Sequence, residues 1–288
     1  MNNQATPGIQ FRALLNQQSA LQIAGTINAY SALLAQRSGF ESLYLSGAGV
    51  ANASFGLPDL GLTSLQDVAE DVRRISQVCC LPLLVDADTA WDDPAETVEV
   101  LSKAGAAAIH IEDQVDLKRC GHRPGKHLVA IEKMQQRMSA AVNASEKTGL
   151  VIMARTDAHA VEGFSAAVQR AQAYVEAGAE MIFAEAFSTL EEYQEFVSEI
   201  QVPVLANITE FGKTPLFTVD ELSAAGIKMV LYPLSAFRAM SAASLEVYQA
   251  IRKKGTQKDV VDKMQTRKEL YEVLDYEKHE QRADKNLA

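Results

Sequence analysis

Gly39, Gly105, Gly178 and Gly226 each close an amphipathic stretch and open a short apolar run. The residue seven places after each glycine, Ser46, Glu112, Glu185 or Pro233, falls just past that run. A glycine in that place reads as a helix C-cap. The pieces SKAGAAAIHIE and VEAGAEMIFAE are visibly alike. A helix–glycine–strand unit repeated at one offset predicts a (β/α)8 barrel of the TIM type rather than a doubly wound open sheet. Eight apolar runs read as its strands: Leu21–Gly25, Ser42–Leu45, Leu81–Val85, Ala107–Ile111, Leu150–Ala154, Met181–Ala184, Pro203–Ala206 and Met229–Tyr232. The 288 residues suit a single domain, with the barrel over about 20–254 and a helical extension over about 258–288. The extension, Lys258–Ala288, sets apolar Val260, Val261, Met264, Leu270 and Leu274 among charges. It is too long for a barrel helix alone, and such a stripe calls for a partner surface on a neighbouring subunit.

The balance of 27 basic against 37 acidic residues gives a net charge of −10, a poor match for nucleic acid or an anionic membrane. No apolar stretch is long enough to cross a bilayer, and MNNQATPGIQFRALL does not read as a leader, so a cytoplasmic protein is expected. Cys79 and Cys80 precede a strand and read as core residues. The stretch SGAGVANASFG begins like a dinucleotide fingerprint, but Asn52 stands where the third glycine belongs.

Barrel chemistry collects at the carboxyl ends of the strands. Here those ends carry Asp86, Asp88, Glu112, Asp113, Asp157 and Glu185. Carboxylates crowded on one rim repel one another, and a hard divalent cation, Mg²⁺ or Mn²⁺, compensates. Asp86 and Asp88 are two apart at a strand end and share one side, which makes them the strongest candidates. Cys120 lies in DLKRCGHRPGK, among Lys118, Arg119, His122 and Arg123. Positive neighbours favour a thiolate, and Gly121 and Gly125 suit a closing loop. Arg155, Arg238 and Arg267 are candidates for holding carboxylates bidentately, so a small substrate with several carboxylates is indicated. His110 taken alone reads as a core histidine.

KRCGHRPGK, supported in order by VDAD, HIEDQ, ARTDA, LANITEFG, LYPLSAFRAM and MQTR, resembles the 2-methylisocitrate lyases of the isocitrate lyase and phosphoenolpyruvate mutase superfamily. The resemblance runs from about Phe11 to Arg282. It implies an Mg²⁺-dependent cleavage of 2-methylisocitrate to pyruvate and succinate, in propionate catabolism. Asp86 and Asp88 match metal positions, Glu112 a ligand through water, and Asp59 a residue near the metal. Ser46, Gly47 and Ala48 match substrate positions beside Tyr44, a possible participant in the chemistry. Cys120 matches the proton donor of the catalytic loop, with Gly121 beside it. Arg155, Glu185, Asn207, Ile208, Thr209, Arg238 and Arg267 match substrate-contacting positions. The resemblance also implies a homotetramer with exchanged C-terminal helices. An isocitrate lyase or an oxaloacetate decarboxylase are the related alternatives. One segment departs from the family: Ala90, Trp91 and Asp92 follow the DAD motif where Gly-Phe-Gly is usual, and the stretch is shorter. Lying beside the metal positions, it is the one argument for a non-catalytic barrel.

Overall fold

The computed structural model describes residues 6–17, 19–116, 118–119 and 121–287. Its centre is a closed barrel of eight parallel strands in sequence order. They are β1 (Leu21–Gly25), β2 (Ser42–Leu45), β3 (Leu83–Asp86), β4 (Ala108–Glu112), β5 (Val151–Thr156), β6 (Met181–Ala184), β7 (Val204–Asn207) and β8 (Met229–Tyr232). The pairing of β8 with β1, Leu21 against Met229 and Ile23 against Leu231, closes the ring. Every expected strand is present. β3 and β7 begin at Leu83 and Val204, one residue past Pro82 and Pro203, because proline has no N–H to give the ladder. The four repeat glycines all have left-handed backbone, with φ between 87° and 113°. That conformation is open to glycine and costly for other residues, which explains the recurrence.

Alternation along the strands divides the apolar residues into two layers. Leu21, Ile23, Tyr44, Leu84, Met153, Phe183, Leu205 and Leu231 fill the barrel interior. Leu43, Leu45, Val85, Ile109, Ile152, Ile182 and Val230 face outward under the helices. Phe11, on the opening helix Pro7–Leu14, is fully buried against the inner layer. Arg12 pins that helix through Glu180 at 2.7 Å and the Gly149 carbonyl at 2.9 Å.

Beyond β8 the helix Ser235–Lys254 has no buried residue, and Met240, Leu245, Tyr248 and Ile251 are exposed along it. The chain continues through Lys258–Lys263, Arg267–Val273 and Tyr276–Leu287. Among the described residues no helix is long and apolar enough to cross a membrane. Cys79 is buried as expected, but Cys80 is exposed: it follows the last turn of a helix, where neighbouring side chains point in different directions.

Candidate active site

Barrel registers assemble the site. Tyr44 pairs with Leu84, and Asp86 with His110, so Tyr44, Asp86 and His110 converge at the top of β2, β3 and β4. The Tyr44 hydroxyl lies 2.9 Å from His110 Nε2 and 3.4 Å from Asp86 Oδ2. Likewise Glu112 pairs with Arg155, and Arg155 with Phe183. The Arg155 guanidinium stacks 5.2 Å from the Phe183 ring. Tyr44, Asp86, Arg155 and Phe183 border a cavity of about 230 Å³ at the carboxyl ends of the strands.

Asp86 accepts from the backbone N–H of Gly47 at 3.0 Å and of Asp88 at 3.1 Å. Gly47 lies so close that a Cβ there would stand 3.1 Å from both Asp86 and Asp88 oxygens. Lys118 Nζ, almost fully buried, sits 2.5 Å from Asp88 Oδ1 and 2.8 Å from Asp59 Oδ1. Burial would raise the Asp86 pKa, yet neighbouring charges outweigh it and hold that carboxyl below the usual range. Burial brings His110 down to about 4, so its ring is neutral at pH 7 and the standing positive charges beside Asp86 are Lys118 and Arg155. Asp88 moves the other way, up to about 6, through burial and the nearby charges of Asp86 and Asp59. Burial raises Glu112 strongly, and it raises the Tyr44 phenol with help from Asp86.

Among the described residues no three acidic, histidine or cysteine side chains already converge as a ligand set. Side-chain cations stand among the carboxylates instead: Lys118 on Asp88, and Arg155 Nη1 3.2 Å from Glu112 Oε2. The donors nevertheless suit a hard cation. Asp86, Asp88, Glu112 and Asp59 offer oxygen only. Glu112 Oε1 is buried with no hydrogen-bond partner among the described residues, and Asp88 Oδ1 has only its ion pair. A buried carboxylate oxygen without a donor is costly unless a cation or water completes it.

Opposite the acidic pair, Arg155 is clasped by Asp157 at 3.0 and 3.2 Å and approaches Glu185 at 3.5 Å. Glu185 meets His122 Nε2 at 2.8 Å and Asn207 Nδ2 at 3.3 Å. His122 Nδ1 in turn accepts from the Lys213 N–H at 3.0 Å. Burial would raise Glu185, but the Arg155 charge and the His122 bond prevail and bring it to about 2. Gly121 is wedged against Arg155 and Glu185. Arg238 lies on the first turn of Ser235–Lys254, 3.5 Å from Glu210 and 5.7 Å from the Phe211 ring.

Of the residues expected at the site, Tyr44, Ser46, Ala48, Asp59, Asp86, Gly121, Arg155, Glu185, Asn207, Thr209 and Arg238 border the cavity. Gly47, Asp88 and Glu112 stand directly behind it through the contacts above. Ile208 is buried in the outer core, one step out of phase with Asn207 on the same segment. Arg267 is elsewhere: it borders an open groove of about 770 Å³ with Arg37, Tyr271 and Tyr276. Cys120 lies outside the described residues. His110 is fully buried, as a core histidine would be, and does not itself border the cavity; its pairing with Tyr44 was hidden by 66 residues of chain. Phe183 and Leu231 were hidden among strand residues, whereas Lys118 and His122 had a signal in the basic loop motif.

Residues 11–252 match the model of the phosphoenolpyruvate phosphomutase family. The chain belongs to that family. The 2-methylisocitrate lyase of Escherichia coli strain K12 is 58% identical, covering 98% of this chain and 97% of its own. A solved 2,3-dimethylmalate lyase, described as a phosphoenolpyruvate mutase/isocitrate lyase superfamily member, is 33% identical over 96% of this chain and 94% of that one, with a TM-score of 0.90. A phosphonopyruvate hydrolase solved with oxalate and Mg²⁺ is 28% identical over 99% of this chain and 100% of that one, with a TM-score of 0.85. The resemblance read from KRCGHRPGK and its companion motifs is thereby borne out, and so is the barrel.

Proposed function

We propose that this chain is an Mg²⁺-dependent carbon–carbon lyase that cleaves 2-methylisocitrate to pyruvate and succinate. The observation that carries the reading is 58% identity to the Escherichia coli enzyme along nearly the whole of both chains. The cavity supports it chemically. Lys118, Arg119, His122, Arg123, Arg155 and Arg238 border it, a set that suits a substrate with three carboxylates.

Asp86 and Asp88 would hold Mg²⁺, with Glu112 and Asp59 behind them, and Mn²⁺ would suit the same oxygens. The ion supplies Lewis-acid polarisation of the substrate oxygens when bound. Ser46, Gly47 and Ala48 shape the wall beside it. Neutral His110 can accept a hydrogen bond at Nε2 and so orient the Tyr44 hydroxyl, which burial keeps protonated. Tyr44 would take up the proton that leaves the substrate hydroxyl while passing its own to His110 Nε2. As the carbon–carbon bond breaks, negative charge develops on the succinate half. Arg155 and the dipoles of Asn207 and Thr209 are fixed beforehand to receive it. Cys120 would then donate a proton to the succinate carbon, with the loop closed and water excluded. Arg267 would act from a neighbouring subunit in a homotetramer, with the exposed face of Ser235–Lys254 in the subunit contact. The same reading places the enzyme in the cytoplasm, in propionate catabolism.

The deciding assay offers the purified protein 2-methylisocitrate, isocitrate and oxaloacetate, with Mg²⁺ or with chelator. Pyruvate should form from the first substrate, stop on chelation and return with Mg²⁺ or Mn²⁺. Turnover of isocitrate or oxaloacetate without turnover of 2-methylisocitrate would overturn the reading.

A further inference from the structure

Lys126 ends the KRCGHRPGK motif and takes no part in the chemistry above. Its side chain is 1% exposed and does not border the cavity. Burying an ammonium is costly unless it is paired and hydrogen-bonded, and Lys126 spends itself on two partners. Its Nζ donates to the carbonyl oxygen of Gly121, in the loop, and to Asp157 Oδ1 at 2.9 Å, just past β5.

Both partners lead to the site. Asp157 is fully buried and holds Arg155 through two bonds, at 3.0 and 3.2 Å. Gly121 rests against the same guanidinium: a Cβ on Gly121 would stand 2.5 Å from Arg155 Nη2, which also bonds Asp157. One ammonium therefore ties the seat of the loop to the carboxylate that aims Arg155. Gly125, just before Lys126, has left-handed backbone (φ 83°) with open space around its α-carbon, so the chain can pivot there.

We infer that Lys126 is a positioning residue, a clasp that registers the catalytic loop against Arg155 through Gly121 and Asp157. It touches neither substrate nor reacting atoms. Its removal leaves the Gly121 carbonyl unheld and one Asp157 oxygen short of a donor, so the loop seats loosely while Arg155 keeps its bonds to Asp157. The inference rests on the lyase reading for its kinetic arm only.

The test is Lys126→Met, which keeps length and apolar bulk and removes the donor. In steady-state kinetics kcat should fall on the order of 10²-fold, the cost of about 1 Å of misplacement, while KM changes less than about threefold. The second readout needs no turnover: site-resolved alkylation of Cys120 in the substrate-free enzyme, by mass spectrometry, with exposed Cys80 as internal standard. Looser seating should speed labelling of Cys120 about tenfold relative to Cys80, following the thiolate's accessibility. A purely structural lysine would lower Tm while leaving kcat and the Cys120 to Cys80 ratio at wild-type values, and that result overturns the inference. If Lys126→Met does not fold, Lys126→Gln, which keeps a donor but loses reach and charge, is judged by the same criteria. Should the wild type fail to cleave 2-methylisocitrate, the labelling ratio alone decides about the clasp.

Discussion

Replacing Gly121 by alanine isolates the loop seat from everything else. A Cβ at Gly121 would lie 2.5 Å from Arg155 Nη2 and 2.6 Å from both Cγ and Cδ of Glu185. Ordinary contact begins near 3.5 Å, so about 1 Å must be yielded. Arg155 cannot give it cheaply, being held by Asp157 at 3.0 and 3.2 Å and by Glu112 at 3.2 Å. Glu185 is fixed by His122 at 2.8 Å. The loop therefore withdraws, and a 1 Å displacement in a catalytic constellation costs about 10²-fold in rate, or about 2.7 kcal/mol of transition-state stabilisation. Because the loop gives way rather than the buried core, Tm should stay within about 2 °C. The assay is pyruvate release from 2-methylisocitrate at saturating Mg²⁺, with a thermal melt of the same sample. Wild-type kcat in Gly121→Ala would refute the reasoning, because the loop could then not seat on Arg155 and Glu185 as described.

Other outcomes follow from the same geometry. Asp88→Ala removes a carboxylate that faces Lys118 and stands beside Asp86, so activity should vanish or demand far more Mg²⁺; normal turnover at low Mg²⁺ would exclude Asp88 as a ligand. Cys120→Ser exchanges the acid for one several pKa units weaker, so cleavage should fall 10²–10⁴-fold with substrate affinity little changed, as measured by turnover and by calorimetric binding. Glu185 is depressed to about 2 in the folded chain, so its contribution to stability is complete above the ordinary carboxylate range and is lost as pH falls toward 2. Urea denaturation should accordingly show the advantage of wild type over Glu185→Gln to be larger at pH 7 than at pH 3.5; an advantage independent of pH would contradict the pairing with Arg155 and His122.

The barrel was legible because its signals are local. A left-handed glycine at the end of a helix and an apolar run after it lie within one short window, and the chain repeats them. Asp86 was legible for the same reason, as the last residue of a strand, whereas Asp88 lies past β3 with left-handed backbone (φ 47°) and meets Asp86 through its own N–H at 3.1 Å rather than by strand alternation. What escaped depends on ring closure. Nothing near His110 announces Tyr44, and only the successive registers of β2 on β3 and β3 on β4 bring them within 2.9 Å. The joint hold of Lys126 on Gly121 and Asp157 is equally non-local, since Asp157 lies 31 residues away, just past β5. Arg267 shows the opposite limit. A motif can mark it as a candidate substrate residue, yet within this chain it lies in the tail groove beside Arg37, away from the cavity.

The stretch after the DAD motif, which departs from the pattern the chain otherwise resembles, lies beside Asp86 and Asp88. Ala90 and Trp91 both have left-handed backbone, φ 70° and 49°, a conformation that costs alanine or tryptophan about 1–2 kcal/mol. The surroundings return that energy. The Ala90 methyl is fully buried, its carbonyl accepts from Thr97 at 2.9 Å, and its N–H donates to Ala87 at 2.7 Å. Trp91 packs on the core and donates from Nε1 to the Thr63 carbonyl at 2.9 Å. Asp93 then caps the next helix at Ala95 and Glu96, with Pro94 at its first position, so the shortened stretch ends in a defined start. Thr63 follows Asp59 by four residues, and Asp59 meets Lys118 at 2.8 Å. The indole thus braces the far side of the loop that delivers Asp59, while Asp88 keeps its own N–H on Asp86 at 3.1 Å. One aromatic side chain and a helix cap thus hold this stretch, and of the carboxylates beside it Asp86 borders the cavity with Asp88 behind it.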